Sequence, residues 1–183
     1  WLEIQPRQSL ELECSEDIDL IVDALNTNPF PIDRLLEQVK HRESNVTLRS
    51  GSALEAIANA IEHRHENVDH ELVIRFSTNA SIGREKKLAT GIPTGMGLLD
   101  LWEALRKDED SGVTRAAGLN FIRTFITGLQ RPKKFKEKAW KRLQDFFSTE
   151  DDAALDDLGH HVEWATGGLS AERIQSQIEA RLV

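Results

Sequence analysis

The chain is poor in cysteine, in long apolar runs and in positive charge, and each shortage removes a class of protein. Cys14 is the single cysteine among 183 residues, so an internal disulfide is excluded and a reducing compartment is expected. No apolar stretch approaches the roughly 18 residues of a membrane span, and the N-terminus lacks the charged-then-apolar layout of a signal peptide. We therefore expect a cytoplasmic protein that has no membrane partner.

Basic residues are outnumbered by acidic ones. The chain has 23 Lys and Arg against 31 Asp and Glu, a formal net charge of −8. Such a surface repels polyanions as a whole, so contact with nucleic acid requires a local basic patch. The length and a hydrophobic content of 39% suit one domain with a real core and a small appendage. Because the sequence begins with Trp1, we expect it to be a piece of a longer protein.

Several common catalytic and metal-binding patterns are also missing. The glycine-rich stretch 91–97 lacks the Gly-Lys-Ser/Thr ending of a phosphate-binding loop, and there is no Gly-x-Ser-x-Gly nucleophile elbow. His63, His65 and His70 cluster without His-Glu-x-x-His spacing, and one cysteine cannot build a structural zinc site. Zinc is therefore not expected, and Cys14 is interpreted as a core residue rather than a nucleophile.

The first half of the chain has the pattern of strands with one helix between them. Alternation of apolar and polar residues predicts a hairpin within residues 9–22 and a third strand from Leu35 to Lys40. Ser52 is a good N-cap for a helix with one apolar stripe that ends near Glu66. Residues 71–76 then have the apolar pattern of a buried fourth strand.

The second half has helical spacing. Four helices are predicted after a short one at Leu98–Arg106, and they cover Ala116–Leu129, Lys133–Phe147, Asp152–Ala165 and Ser170–Leu182. We accordingly predict an α/β core over residues 1–112. A helical extension over residues 113–183 is predicted to pack on this core or on a neighbouring domain.

One short motif could carry chemistry. Alternate side chains of a strand share a face, so Gln38 and Lys40 are expected to project together, while Val39 points the other way. Asp19 has the matching parity on its own strand. If the two strands are neighbours, a carboxylate, an amide oxygen and an ammonium converge at one edge of the sheet. Such a set can hold Mg²⁺ and support phosphodiester hydrolysis.

The order of these elements resembles a known family. A strand with Asp, a loop, a strand ending in Gln-Val-Lys, a helix and a further strand are similar to the core of PD-(D/E)XK, or restriction-endonuclease-like, nucleases. Leu-Glu-Gln-Val-Lys-His-Arg and Ile74–Asn79 resemble the double-stranded DNA endonuclease domains at the N-terminus of bacterial antiphage effectors, including CD-NTase-associated ones. The resemblance implies a mixed four-stranded sheet with a crossover helix, followed by a helical C-terminal half.

The same resemblance implies roles for individual residues. Asp19 would be the metal carboxylate, Gln38 the second ligand, and Lys40 the catalytic base or electrostatic stabiliser. The backbone carbonyl of Val39 would be a further ligand. The implied cofactor is Mg²⁺, for which Mn²⁺ could substitute.

A third carboxylate and DNA contacts are also implied. Glu13 is the preferred third carboxylate because it comes late in the first strand, and Glu11 and Glu16 are the alternatives. The residues expected to contact DNA are His41, Arg42, Arg84 and Lys86.

The implied activity is cleavage of double-stranded DNA with low sequence specificity. Its implied partners are a downstream sensor or oligomerisation domain of the same parent chain and, in the active state, further copies of the protein. The alternative is a catalytically inactive, nuclease-like interaction or assembly module. In that case the acidic residues form a solvated hairpin face, and Lys40 is an ordinary strand-end lysine.

A basic run lies in the helical half. Seven of the twelve residues from Arg131 to Arg142 are Lys or Arg, and acidic residues follow from Asp145 to Asp157. A helix that contacts phosphates would suit a DNA-binding enzyme. Equally, these cations could pair with the acidic segment that follows or with a neighbouring domain, and the sequence leaves both interpretations open.

Overall fold

The computed structural model describes residues 8–13, 17–22, 34–40, 44–66, 72–86 and 91–167. In the first two ranges, and at positions 34, 35, 37 and 39, it describes the backbone alone. The described residues form five strands and five helices. They are β1 (Gln8–Glu13), β2 (Asp17–Val22), β3 (Arg34–Lys40), α1 (Gly51–Glu66), β4 (Leu72–Thr78), α2 (Leu98–Arg106), α3 (Arg115–Thr127), α4 (Glu137–Thr149), α5 (Asp152–His161) and β5 (Val162–Ala165).

The five strands form one mixed sheet in the order β1-β2-β3-β4-β5. The first three strands are antiparallel, whereas β3, β4 and β5 run parallel to one another. Parallel neighbours need a long connection, and α1 lies in the one between β3 and β4. Beyond the ends of β3 and β4, an isolated parallel β-bridge joins Val46 to Ile82. The segments that follow these two strands therefore remain side by side.

The core lies between one face of this sheet and the helices. Alternate residues of β4 are buried, namely Leu72, Ile74, Phe76 and Thr78, while those between them are only half-buried. The helix α1 buries a stripe at Leu54, Ile57 and Ile61, the spacing that places side chains on one helical face. Burying such apolar surface is the main source of stability in a domain of this size.

The remaining helices are capped and joined by specific polar contacts. Thr114 accepts a hydrogen bond from the Ala117 N–H and begins α3, and Asp151 accepts one from the Ala154 N–H and begins α5. Trp102 of α2 donates its indole N–H to the carbonyl of Gly159 in α5 at 3.2 Å. None of the described helices combines the length and the hydropathy that a membrane span requires.

The predicted fold class is wrong. A four-stranded mixed sheet followed by a purely helical half does not describe this chain, because the described residues contain five helices and a sheet with a fifth strand near residue 165. Asp152–Ala165, predicted as one helix, is α5 followed by β5. In β5 burial alternates, with Val162 and Trp164 buried, and this period of two suits a strand that pairs with β4.

Other elements agree with the sequence pattern. The helix predicted from Ser52 to Glu66 and the one predicted at Leu98–Arg106 are α1 and α2. The helix predicted at Ser170–Leu182 lies outside the described residues. The division into residues 1–112 and 113–183 stays a prediction. Within the described chain, α4 packs on α1 and β5 pairs with β4.

Candidate functional site

Gln38 lies at the centre of a cross-strand row. Its register partner on β2 is Asp17, whose own partner on β1 is Glu13. On the other side, Gln38 is the register partner of Phe76, which pairs with Trp164 of β5. Cα atoms paired in this way on antiparallel strands are about 5 Å apart. Across the sheet, the row therefore consists of two acidic positions, the amide of Gln38 and then two aromatic residues.

The amide oxygen of Gln38 has no hydrogen-bond partner among the residues that the structure describes. Its Oε1 is buried although the residue as a whole is half-buried. A buried carbonyl oxygen that lacks a partner costs about 1–3 kcal/mol, so such atoms are rare and most are satisfied by water, an ion or a ligand. Gln38 is therefore equipped to accept from, or to coordinate, a group supplied from outside the chain.

The aromatic end of the row forms an apolar wall. The ring of Trp164 lies 5.6 Å from that of Phe76 and 5.9 Å from that of Trp102, and the second pair is T-shaped. The indole Nε1 of Trp164 is also buried without a partner. Phe76 lies between Gln38 and Trp164 in the register. The Cα atoms of Gln38 and Trp164 are therefore about 10 Å apart, which is twice the spacing between neighbouring strands. An apolar wall lowers the local dielectric and strengthens interactions between charges beside it.

Lys40 ends β3 on the same face as Gln38. The two residues are separated by one position, so their Cα atoms are about 7 Å apart. Lys40 is half-buried and is the register partner of Thr78, whose hydroxyl accepts from the Ala80 N–H at 3.3 Å. The predicted amide and ammonium are thus neighbours on one strand, as the Gln-Val-Lys spacing requires.

The loop after β4 displays two of the predicted DNA contacts. Arg84 and Lys86 are both exposed, and Glu85 between them is only 8% exposed. One carboxylate oxygen of Glu85 accepts from the Leu48 N–H at 2.9 Å, and the other accepts from the Leu98 N–H at 3.0 Å. Glu85 therefore holds this loop to the segment before α1 and to the start of α2.

That loop belongs to the same edge of the sheet as Lys40. It follows the carboxyl end of β4, and the Val46–Ile82 bridge joins it to the segment that follows β3. Crevices at the carboxyl ends of parallel strands are the usual binding position in open α/β sheets. Arg84 and Lys86 are consequently placed to contact a polyanion at this edge. His41 and Arg42, the other predicted contacts, lie outside the described residues.

The predicted carboxylates occupy two different rows. Asp19 is paired with Leu36, whereas Asp17 is paired with Gln38. The preferred third carboxylate, Glu13, is in the row of Asp17 and Gln38. The side chains at these positions, and that of Val39, lie outside what the structure describes. The roles of Asp19, Glu13 and Val39 therefore stay predictions.

Sequence reasoning overlooked two residues. Asp17 has the same parity as Asp19, so alternation could not separate them, and only the strand register selects the position opposite Gln38. Glu85 lies between two basic residues and has no pattern that would distinguish it from a surface glutamate. Its burial against two backbone N–H groups depends on the packing of three separate segments.

The metal-binding capacity of the chain depends on which side chains come together. Among those described, no three His, Cys, Asp or Glu side chains come together in a way that could hold an ion. The unsatisfied Gln38 oxygen is an oxygen ligand of the kind that Mg²⁺ and Mn²⁺ accept. Its register partner on β2 is the acidic position Asp17, and Glu13 lies one strand further, so the residue types in this row fit a hard divalent cation.

The histidines have other partners. Nε2 of His160 lies 2.6 Å from Nη2 of Arg115 and its Nδ1 lies 3.1 Å from the carbonyl of Arg106. Because arginine can only donate, Nε2 accepts and Nδ1 carries the proton. Nδ1 of His161 lies 2.7 Å from the carbonyl of Asp157. His160 thereby ties the end of α5 to α2 and α3, whereas the His161 contact lies within α5 itself.

Comparisons with known proteins add no relative. No family model matches the chain, and no curated protein or solved structure matches it either.

Proposed function

We propose that this protein is a divalent-metal-dependent endonuclease that hydrolyses phosphodiester bonds of double-stranded DNA. The observation that carries the proposal is the buried, unsatisfied Oε1 of Gln38 in register with two acidic positions. A second support is the Gln-x-Lys spacing at the end of β3. A third is the resemblance of this motif to PD-(D/E)XK nucleases.

In this proposal each residue has one task. Gln38 would supply a neutral oxygen ligand, and Asp17, with Glu13 beside it, would supply the negative charge that balances the cation. When bound, Mg²⁺ or Mn²⁺ would stabilise the charge that develops on the phosphate and lower the pKa of a coordinated water. Lys40 would hold the scissile phosphate and the attacking water in position through its ammonium group.

DNA would be held at the same edge by exposed cations. Arg84 and Lys86 would contact the backbone phosphates, which position a duplex but carry no sequence information. We therefore propose low sequence specificity. The biological setting proposed is that of the effectors that the motif resembles, an antiviral defence protein in the bacterial cytoplasm. A sensor domain of the same parent chain would trigger self-association there before cleavage.

The test combines cleavage and metal binding on purified protein. We expect supercoiled plasmid to be degraded with Mg²⁺ or Mn²⁺ and to survive with a chelator. Asp17→Asn and Lys40→Ala should each lower the rate about 10²-fold or more, because each removes a charge that acts on the reacting phosphate. Mn²⁺ should raise the Tm of the wild type, and Asp17→Asn or Gln38→Ala should abolish this rise.

Two matched controls make the result specific. Glu109→Gln removes one negative charge from an exposed position of the loop between α2 and α3, and it should leave cleavage unchanged. Asp19→Asn removes the acidic residue of the neighbouring row. A smaller loss of cleavage rate in Asp19→Asn than in Asp17→Asn would support the pairing of Asp17 with Gln38. Full cleavage by both Asp17→Asn and Lys40→Ala would refute the nuclease assignment. Absence of cleavage and of any Tm response to Mn²⁺ would favour the inactive assembly module.

A further inference from the structure

A cluster of exposed lysines marks a second basic surface, separate from the edge of the sheet at Lys40. It comprises the turn before α4 and the outer side of that helix. We call it the lysine surface, and its members are Lys133, Lys134, Lys136, Lys138 and Lys141, all of them exposed. The protein as a whole has a net charge of −8, so these five lysines form a region whose charge is opposite in sign to that of the whole molecule.

The acidic segment that follows does not neutralise these lysines. Asp152 is bound by Arg123 at 2.8 Å and Asp156 by Arg115 at 2.6 Å. Asp157 is bound by Arg64 of α1. Arginines of α1 and α3 thus take three of the carboxylates that the sequence offered as partners for the basic run. Among the described residues, no member of the lysine surface pairs with this segment, so contact with phosphates and pairing with a neighbouring domain are the interpretations that stay open.

The lysines have few counter-ions in the part of the chain that the structure describes. The one ion pair that a member of the lysine surface makes there joins Lys138 to Glu62 at 4.0 Å, and 88% of the Lys138 side chain is exposed. Lys133, Lys134, Lys136 and Lys141 form no ion pair with the residues that the structure describes. Their side chains are exposed, so an anion from outside the chain can reach them.

The turn that carries these lysines is held rigidly. Phe135 is buried, and its ring meets that of Trp140 edge to face at 5.6 Å. The Phe135 N–H donates to the carbonyl of Pro132 at 2.9 Å. Lys136 is the N-cap of α4, and its side chain makes no capping hydrogen bond. The backbone of this turn is therefore held in place before phosphates bind, while the ammonium groups of its lysines stay flexible.

We propose that the lysine surface binds the phosphate backbone of double-stranded DNA without reading its sequence. The choice of DNA rests on the proposed nuclease function. A lipid surface is disfavoured because membrane-binding helices expose apolar side chains for insertion. Here every apolar residue of 131–142 is buried or half-buried. Flexible ammonium groups suit contacts with phosphates, which are sequence-independent.

The test measures equilibrium binding of the 183-residue protein to a short random-sequence duplex in chelator, so that cleavage cannot intervene. The variant K133S/K134S/K136S should weaken binding roughly tenfold or more at about 50 mM salt. It should also make the plot of log K against log salt shallower by about 2 to 3, because each lost phosphate contact removes about 0.9 from the slope. K133R/K134R/K136R keeps the charges and should bind as the wild type does.

Each outcome decides between stated possibilities. Equal affinity and slope in the serine variant would overturn the proposal, as would binding to phosphatidylserine vesicles that depends on the three lysines while DNA binding does not. Because all three side chains are exposed, the serine variant should keep the wild-type Tm. If it does not, single substitutions Lys133→Ser and Lys134→Ser, each reducing the slope by about 0.9, provide the same test. Loss of cleavage in Asp17→Asn with unchanged DNA binding would separate the catalytic site from this surface.

Discussion

At the scale of single residues, the protein uses buried polar groups to fix loops and to prepare a site. Glu85 and Gln38 show the two situations. Glu85 is buried with both carboxylate oxygens accepting from backbone N–H groups, so its burial is compensated. Gln38 has a buried oxygen with no partner among the described residues, so its burial is not compensated by them. Glu85 therefore has a structural role, whereas Gln38 is a candidate ligand of a metal ion.

Replacing Glu85 should therefore destabilise the protein. In Glu85→Gln one of the two acceptor oxygens becomes an NH₂ group that faces a backbone N–H, so a buried donor loses its acceptor. We expect the free energy of unfolding to fall by about 1–3 kcal/mol, measured by chemical denaturation. Glu109→Gln, made at an exposed position, is the control and should change it by less than about 0.5 kcal/mol. Equal stability of the two variants would contradict the bracing role.

At the scale of elements, two helical glycines differ in their surroundings. Gly118 of α3 faces α2, and a Cβ added there would lie 3.0 Å from a methyl group of Leu105. Gly159 of α5 has nothing within 4 Å of the corresponding position. Helix propensity favours alanine over glycine equally at both sites. Close approach of α2 and α3 explains why the first position is small, whereas nothing in the structure requires glycine at the second.

The two glycines make a matched pair of substitutions. Gly159→Ala should raise the free energy of unfolding by about 0.5–1 kcal/mol, because alanine loses less conformational entropy on folding. Gly118→Ala should gain less or lose stability, since the leucine methyl must move to admit the new Cβ. Thermal and denaturant unfolding of both variants measure the difference. An equal gain in the free energy of unfolding at the two positions would show that α2 and α3 can admit a Cβ at position 118, and it would contradict this prediction.

At the scale of the whole molecule, arginines join helices that are distant in the chain. Arg115 of α3 contacts Asp108 after α2 and Asp156 of α5, and its guanidinium also donates to the Leu105 carbonyl. Arg142 of α4 pairs with Glu62 of α1 and donates to the Ala58 carbonyl at 3.4 Å. These contacts hold the outer helices α3 and α4 to the elements that cover the sheet.

The Arg142–Glu62 pair should make stability depend on pH. The hydrogen bond from Arg142 lowers the pKa of Glu62 below its usual value. A carboxyl whose pKa is lowered by folding adds stability above its unfolded pKa of about 4.3, and loses it as pH falls through the lower, folded pKa. Glu62→Gln should therefore be less stable than the wild type by up to about 1 kcal/mol at neutral pH. The difference should vanish in acid.

Denaturation at several pH values measures this difference. In an Arg142→Gln background the same Glu62→Gln change should lose most of its pH dependence, because the donor that lowers the pKa of Glu62 is gone. A difference between wild type and Glu62→Gln that is constant from neutral to acid pH would contradict the assignment. The double-mutant cycle separates this pair from the more distant Lys138, which also faces Glu62.

Local patterns account for much of what could be predicted. The bounds of α2 agree with its apolar spacing, and α1 begins within one residue of Ser52. The short β5 was missed because four residues after a helix extend a helical pattern by one turn, and only pairing with β4 makes them a strand. The row of Gln38 could not be derived because register depends on the lengths and shapes of turns, which alternation does not encode.

The sequence by itself determined the positions of α1 and α2, the neighbouring positions of Gln38 and Lys40 on one strand, and the concentration of basic residues in 131–142. These properties depend on residues close together in the chain. Tertiary structure alone decided that Asp17 is opposite Gln38, that Glu85 is buried, and that arginines of other helices take the carboxylates next to the lysine surface. Each of these outcomes is a contact between distant segments, and such contacts arise only when the core packs.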